Sequence, residues 1–138
     1  MILKVKLDED AKLPTRAYPT DAGLDLYSRE DVILRSGNGW VFDTGVHVEI
    51  PAGYYGKLES KSGLMTRECI FCPGGIIDSG YGGSIAAMLF NLGDEDYHVH
   101  KGDKICQMII MACETPSVDI GEIVSGERGD SGFGSTGR

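Results

Sequence analysis

Glycine interrupts this chain before most of its apolar runs can reach helical length. Twenty of the 138 residues are glycine, about twice the usual share. They stand between apolar or alternating segments of strand length. Glycine takes positive φ at no steric cost and weakens helices, so a chain punctuated this way builds many turns and short strands. The length fits one domain with a real core, and 41% apolar and 25% charged residues are ordinary for a globular protein.

The net charge of -8 argues against broad nucleic-acid binding, which needs a basic face to displace counterions. A small polyanion is still admissible, since local amides, a few cations and a metal can hold one. No opening stretch reads as a signal peptide and no apolar run approaches membrane-spanning length. The expected compartment is therefore cytoplasmic, with no membrane partner. Cys69 and Cys72 are spaced C-x-x-C, and Cys106 and Cys113 follow later. Each pair has an odd separation inside an apparent strand, which points its members to opposite faces. Buried free thiols are expected in preference to zinc.

The alternating or apolar segments predict strands over residues 1–7, from Gly23 onward, and over Val32–Leu34, 40–42, 46–50 and 57–60. A long apolar strand is expected over 104–112 and a last core strand over 116–124. Ser62–Glu68 is the one plausible helix, and a short one. At its start, Lys61, Ser62 and Gly63 combine a positive charge, a hydroxyl and free N–H groups, which suits a phosphate. Ser62 equally serves as a plain N-cap. Asp25 is held on a strand, better suited to positioning a ligand or metal-bound water than to solubility. Gln107, the interior polar break in its strand, either satisfies a buried backbone group or reaches a ligand. His98 and His100 alternate on one face and read as surface or subunit-contact residues.

Gly75-Ile-Ile-Asp-Ser-Gly-Tyr81 delivers one carboxylate, Asp78, and one aromatic, Tyr81, onto a glycine-rich turn. In a pocket, Asp78 would handle a proton or water and Tyr81 would be a platform; the plainer alternative is a solvent-facing turn. The tail from Gly126 has no core periodicity and is expected to be flexible. It nevertheless holds Arg128, Phe133, Gly134, Ser135 and Thr136. By composition it is either a linker or a lid that stacks Phe133 on a base and grips phosphates.

Five separated pieces, in one order, resemble the trimeric dUTP pyrophosphatases (dUTPases). They are Ala17-Tyr-Pro-Thr-Asp-Ala-Gly-Leu-Asp-Leu-Tyr-Ser28, the run from Pro51 through Lys61-Ser-Gly-Leu64, Gly75-Ile-Ile-Asp-Ser-Gly-Tyr81, Lys101-Gly-Asp-Lys-Ile-Cys-Gln107, and Arg128-Gly-Asp-Ser-Gly-Phe-Gly-Ser-Thr-Gly137. The resemblance implies an all-β, jelly-roll-like β-barrel or sandwich over residues 1–126, with one short helix. It implies a flexible C-terminal arm over 127–138 that closes over the site, and a homotrimer with sites at subunit junctions. The implied reaction is Mg²⁺-dependent hydrolysis of dUTP to dUMP and pyrophosphate, which limits uracil in DNA and supplies dUMP.

By position in those motifs, Asp78 would activate the water that attacks the α-phosphorus, and Tyr81 would pack under the deoxyribose and exclude a 2′-hydroxyl. The hairpin backbone about Gly75 and Ile77 would read the uracil edge. Lys61, Ser62, Gly63 and Gln107 would meet the phosphates, and Arg128, Phe133, Gly134, Ser135 and Thr136 would close over the nucleotide. Mg²⁺ would be held by phosphates and waters with no direct protein ligand, and Asp25 would lie near its water shell or the arm. Three positions depart from the family pattern. Lys61 stands where arginine is usual, Gly82-Gly83-Ser84 where many members have Arg-Gly-Glu, and Cys72 near a frequent asparagine. Two other readings share the fold: a dCTP deaminase, for which Glu59 is the nearest acidic residue, and a viral or prophage-type regulatory protein that binds a protein partner.

Overall fold

The computed structural model describes residues 1–134 and 137. Eleven short strands and one helix follow in chain order among them: β1 (Lys4–Leu7), β2 (Leu24–Tyr27), β3 (Val32–Leu34), β4 (Gly39–Asp43), β5 (Val46–Glu49), β6 (Tyr54–Glu59), α1 (Ser62–Glu68), β7 (Ile70–Phe71), β8 (Ile76–Ile77), β9 (Ala86–Asn91), β10 (Tyr97–Val99) and β11 (Lys104–Ala112). They pair antiparallel into a four-stranded sheet β2-β11-β6-β8, a three-stranded sheet β4-β9-β7, and the pairs β1-β5 and β10-β3. The result is an all-β, jelly-roll-like sandwich rather than a closed barrel.

The core follows from strand alternation. In β6, Gly56 and Leu58 face inward while Tyr55, Lys57 and Glu59 face outward; in β9, Ala87, Leu89 and Asn91 face inward. Leu26, Phe42, Leu58, Ile85, Leu89 and Met108 are almost wholly buried together. Gly56 sits where a Cβ would meet the Met108 sulfur at 3.0 Å and Ile50 at 3.2 Å, so the two layers close over it. Buried Asn91 gives its amide to the carbonyls of Leu34 and Glu95, each at 2.8 Å, and accepts from Gly93 N–H; this satisfies the group inside the core. In β11 the alternation fails once. Ile105 and Cys106 are both buried, because the register with β2 shifts between Lys104 and Cys106.

The strand expected over residues 116–124 is not formed. Val118, Ile120, Ile123 and Val124 are almost fully exposed, Ile120 at 106%, and the segment has no ladder partner. β11 already has both edges paired, with β2 and β6, and the sandwich interior is filled. The segment's apolar residues therefore find no place in their own subunit. The cysteine expectation holds for Cys72 and Cys106, which are buried, the Cys72 thiol donating to the Gly74 carbonyl at 3.7 Å. It fails for Cys69, which is exposed. That residue lies in no strand but ends α1 in the left-handed conformation at φ 56. Cys113 is only partly buried.

Candidate active site

The turn bearing Asp78 begins where β8 leaves β6. Gly56 faces Ile77 in that ladder, which buries Ile77 and carries Asp78 out into solvent. Gly74 and Gly75 precede it at φ 115 and 138, and the Gly75 carbonyl accepts the Leu58 N–H at 3.0 Å. A side chain at Gly75 would run into Leu58, 3.3 Å away. Beyond Asp78 the Tyr81 N–H closes onto the Asp78 carbonyl at 3.1 Å, with Gly80 at φ 89, and Ser79 ties the turn to the Ile50 carbonyl at 2.9 Å. Tyr81 stays 47% exposed and gives its hydroxyl to the Ser84 carbonyl at 3.0 Å. Its ring lies over Gly83, where a Cβ would come within 2.4 Å of the Tyr81 oxygen. Beside the turn is a cleft of about 560 Å³ lined by Val48, Ile50, Pro51, Ser79 and Tyr81, among others.

A second cleft, of about 410 Å³, opens at the start of α1. Lys61, Ser62, Gly63, Arg67, Tyr97 and Lys104 line it. The cap of α1 is Lys61, not Ser62, and it makes no side-chain cap bond. Its carbonyl accepts the Met65 N–H, which leaves the Ser62 hydroxyl uncommitted among the described residues. Arg67, one turn on, lies across Gly63, with Nη2 2.5 Å from where a Cβ would sit. Beneath the cleft Asp25 is 3% exposed. Lys61 donates to its Oδ1 and Lys104, at 3.0 Å, to its Oδ2, so both oxygens are engaged. Burial alone pushes this carboxyl up, but the Lys61 and Lys104 bonds and charges together outweigh it and hold Asp25 below its ordinary 3.8. Lys104 is raised in return.

Gln107 pairs between Asp25 of β2 and Glu59 of β6 and donates its amide to the Ser60 carbonyl at 2.9 Å. It thus satisfies a backbone group, and that group is the one directly before Lys61. Gly23 makes room for it, since a Cβ there would lie 1.9 Å from the Gln107 Oε1. Lys104, Arg67 and Tyr97 were not singled out by sequence reasoning. The signal for Lys104 was its place three residues before Gln107, on the strand that faces Asp25.

The two clefts are far apart on one subunit. Ile77 is level with Gly56, so Asp78 is level with Tyr55, while Cys72 is hydrogen-bonded to Ser60 at the other end. Lys61 lies six positions after Tyr55, on the order of 20 Å at strand rise. One chain therefore does not bring Asp78 and Tyr81 together with Lys61, Ser62, Gly63 and Gln107. The tail stands apart as well. Arg128 bonds to the Ser131 and Gly132 carbonyls, Phe133 is fully exposed, and Gly134 is at φ 77. Ser135 and Thr136 lie outside the described residues.

Residues 9–137 match the dUTPase family model. The chain is 39% identical over 136 residues to the deoxyuridine 5'-triphosphate nucleotidohydrolase of Fowlpox virus, covering 96% of this chain and 94% of that one. It is 39% identical to the enzyme of the same name from Clostridium tetani, covering 99% and 97%. Among solved structures, a Staphylococcus bacteriophage 80alpha dUTPase variant with dUpNHpp superposes with TM-score 0.93 at 31% identity, covering 99% of each chain. A dUTPase variant from phage phi11 of S. aureus, with a structural Mg(II) ion, superposes with TM-score 0.84 at 29% identity, covering 91% of this chain and 100% of that one. The chain belongs to the dUTPase family.

Proposed function

We propose that this protein hydrolyses dUTP to dUMP and pyrophosphate at sites completed between copies of the chain in a homotrimer. The separation of the Asp78–Tyr81 turn from the Lys61 cleft carries the shared-site part of this reading, since neither half suffices for a nucleoside triphosphate. The uncovered apolar residues Val118, Ile120, Ile123 and Val124 supply surface for a neighbouring copy.

In the complete site Asp78, exposed at the end of β8, accepts a proton from the water that attacks the α-phosphorus and orients that water. Tyr81, fixed by its bond to Ser84, packs under the deoxyribose and leaves no room for a 2′-hydroxyl. The backbone about Gly75 and Ile77 reads the base edge. Lys61, Ser62, Gly63 and Gln107 take the phosphates from the other copy, with Asp25 holding Lys61 in place. Residues 127–138 form the arm: Arg128 meets the γ-phosphate, Phe133 covers the base, and Gly134, Ser135 and Thr136 lie along the nucleotide. Closure excludes water and fixes in-line geometry.

Mg²⁺ suits this arrangement as a companion of the triphosphate. Among the described residues no group of three or more His, Cys, Asp or Glu is placed to hold a metal, and the Asp25 oxygens are given to lysines, so phosphates and waters would be its ligands. Bound there, the ion would neutralise phosphate charge and screen the leaving pyrophosphate. The compartment is proposed to be cytoplasmic; no helix among the described residues is long and apolar enough to cross a membrane.

The test is pyrophosphate release from dUTP, dCTP, dTTP and UTP in parallel, with Mg²⁺ and with a chelator. Metal-dependent release from dUTP alone is expected. Ammonia from dCTP would move the protein to the deaminase reading, although Glu59 is engaged by Lys57 at 2.7 Å. Silence on all four, with dUTP still bound, would favour the regulatory one.

A further inference from the structure

His47 bridges the end of β1 and the turn that follows Tyr81. It lies on β5 opposite Lys6 of β1, with its side chain 18% exposed. Its Nδ1 is 2.8 Å from the carbonyl oxygen of Gly82, the residue after Tyr81. Its Nε2 is 3.0 Å from Oδ1 of Asp8, just beyond β1. Neither the peptide carbonyl nor the ionised carboxylate can donate. A neutral imidazole has one N–H and serves one of them; the imidazolium donates to both.

Gly82 needs this support more than its neighbours do. The turn is otherwise held through Ser79 to Ile50, through Tyr81 N–H to Asp78, and through the Tyr81 hydroxyl to Ser84. None of these bonds fixes the Gly82 peptide. A Cβ at Gly82 would meet nothing within 4 Å, so no side chain packs against that side of the residue. Ser84 is anchored separately, to Asp43 and to the Gly45 N–H.

We propose that His47 is a positioning residue for the Asp78–Tyr81 turn, its doubly protonated ring clamping the Gly82 carbonyl to Asp8 and so fixing the aromatic platform under the sugar. The inference rests on the reading of Tyr81 as that platform. Around the ring stand Asp8, Lys6 on the paired strand, and Asp43 at the end of β4, itself paired with Arg29 at 3.8 Å. Lys4 and Glu49, farther along the same two strands, pair with each other. The Gly82 carbonyl first, then Asp8, raise the ring above its ordinary 6.5, against desolvation and Lys6. The clamp is therefore complete below about pH 6.5 and is lost as pH rises through the raised value.

The experiment compares kcat and KM for dUTP across about pH 5.5 to 9 in the wild type, His47→Gln and Asp8→Asn, alongside NMR titration of the His47 ring and the Tyr81 and Gly82 amides. Relative to His47→Gln, the wild-type KM should rise about threefold to tenfold as pH passes the ring's own titration, with kcat moving less. Asp8→Asn should shift that inflection to lower pH. Superimposable wild-type and His47→Gln profiles would overturn the inference while leaving the dUTPase reading intact. With no dUTP turnover at any pH, that reading fails instead, and the NMR arm decides. Tyr81 and Gly82 amides that follow the ring's titration support the clamp; amides that ignore it overturn it.

Discussion

Asp25 gives its two oxygens to two lysines under the phosphate-side cleft, and that makes it a structural test as much as a functional one. Asp25→Asn leaves Lys61 and Lys104 without their counter-charge. With both ammoniums partly solvated, the expected loss is about 2 kcal/mol in urea unfolding, together with weaker dUTP binding as Lys61 loses its anchor. The sign of the pH dependence follows from the depressed folded pKa. The contribution is present above the ordinary 3.8 and is lost as pH falls through the lower folded value. Wild type should therefore lose stability on acidification over a range where Asp25→Asn does not. Asp78 should behave differently, because it is exposed and pairs with no cation among the described residues. Asp78→Asn is expected to cut turnover by roughly a hundredfold to ten-thousandfold, the usual range for a removed general base, with dUTP binding kept. Unchanged pyrophosphate release would take Asp78 out of the mechanism.

At the level of elements, β11 is the strand that serves the site most. Its register shift brings Lys104 to Asp25 and sets Gln107 under Ser60. Gly23 on the segment entering β2 is what lets Gln107 lie there. Gly23→Ala should push the Gln107 side chain off Ser60, loosen the Lys61 segment, and raise KM for dUTP several-fold in steady-state assays while the fold persists by circular dichroism. The arm is the opposite case. Among the described residues its hydrogen bonds reach no farther than Gly126, so deletion of residues 127–138 should leave the thermal transition within a few degrees of wild type and reduce turnover by about a hundredfold or more. A collapse of the transition would make the arm structural.

The whole molecule raises the question of where a complete site forms. If Asp78 and Lys61 of different copies meet, then Asp78→Asn and Lys61→Ala, each poorly active alone, should complement. Unfolded and refolded together in equal amounts, they should regain activity at about a quarter of the sites, the fraction expected from random pairing across a shared interface. No recovery above the sum of the separate variants would place both halves on one chain. The net charge of -8 belongs to this scale too, since among the described residues the cations gathered toward the proposed ligand are the few in the Lys61 cleft and Arg128 of the arm.

By itself the sequence determined the fold class and most element positions, because glycine punctuation and period-two alternation are local signals. Ser62–Glu68 and the strands from Leu24 to Ala112 follow that reading closely, and the motifs about Asp25, Lys61, Asp78, Gln107 and Arg128 were legible as residues. Their relations were not. That Lys104 shares Asp25 with Lys61 depends on a shifted ladder between strands nearly eighty residues apart in the chain. That His47 reaches Gly82 depends on β5 passing beneath a turn it does not pair with. The apolar alternation of residues 116–124 looked like a core strand, and tertiary structure alone decided otherwise. Periodicity reports which residues need burial, but only the filled sandwich reports that no place is left for them within one subunit.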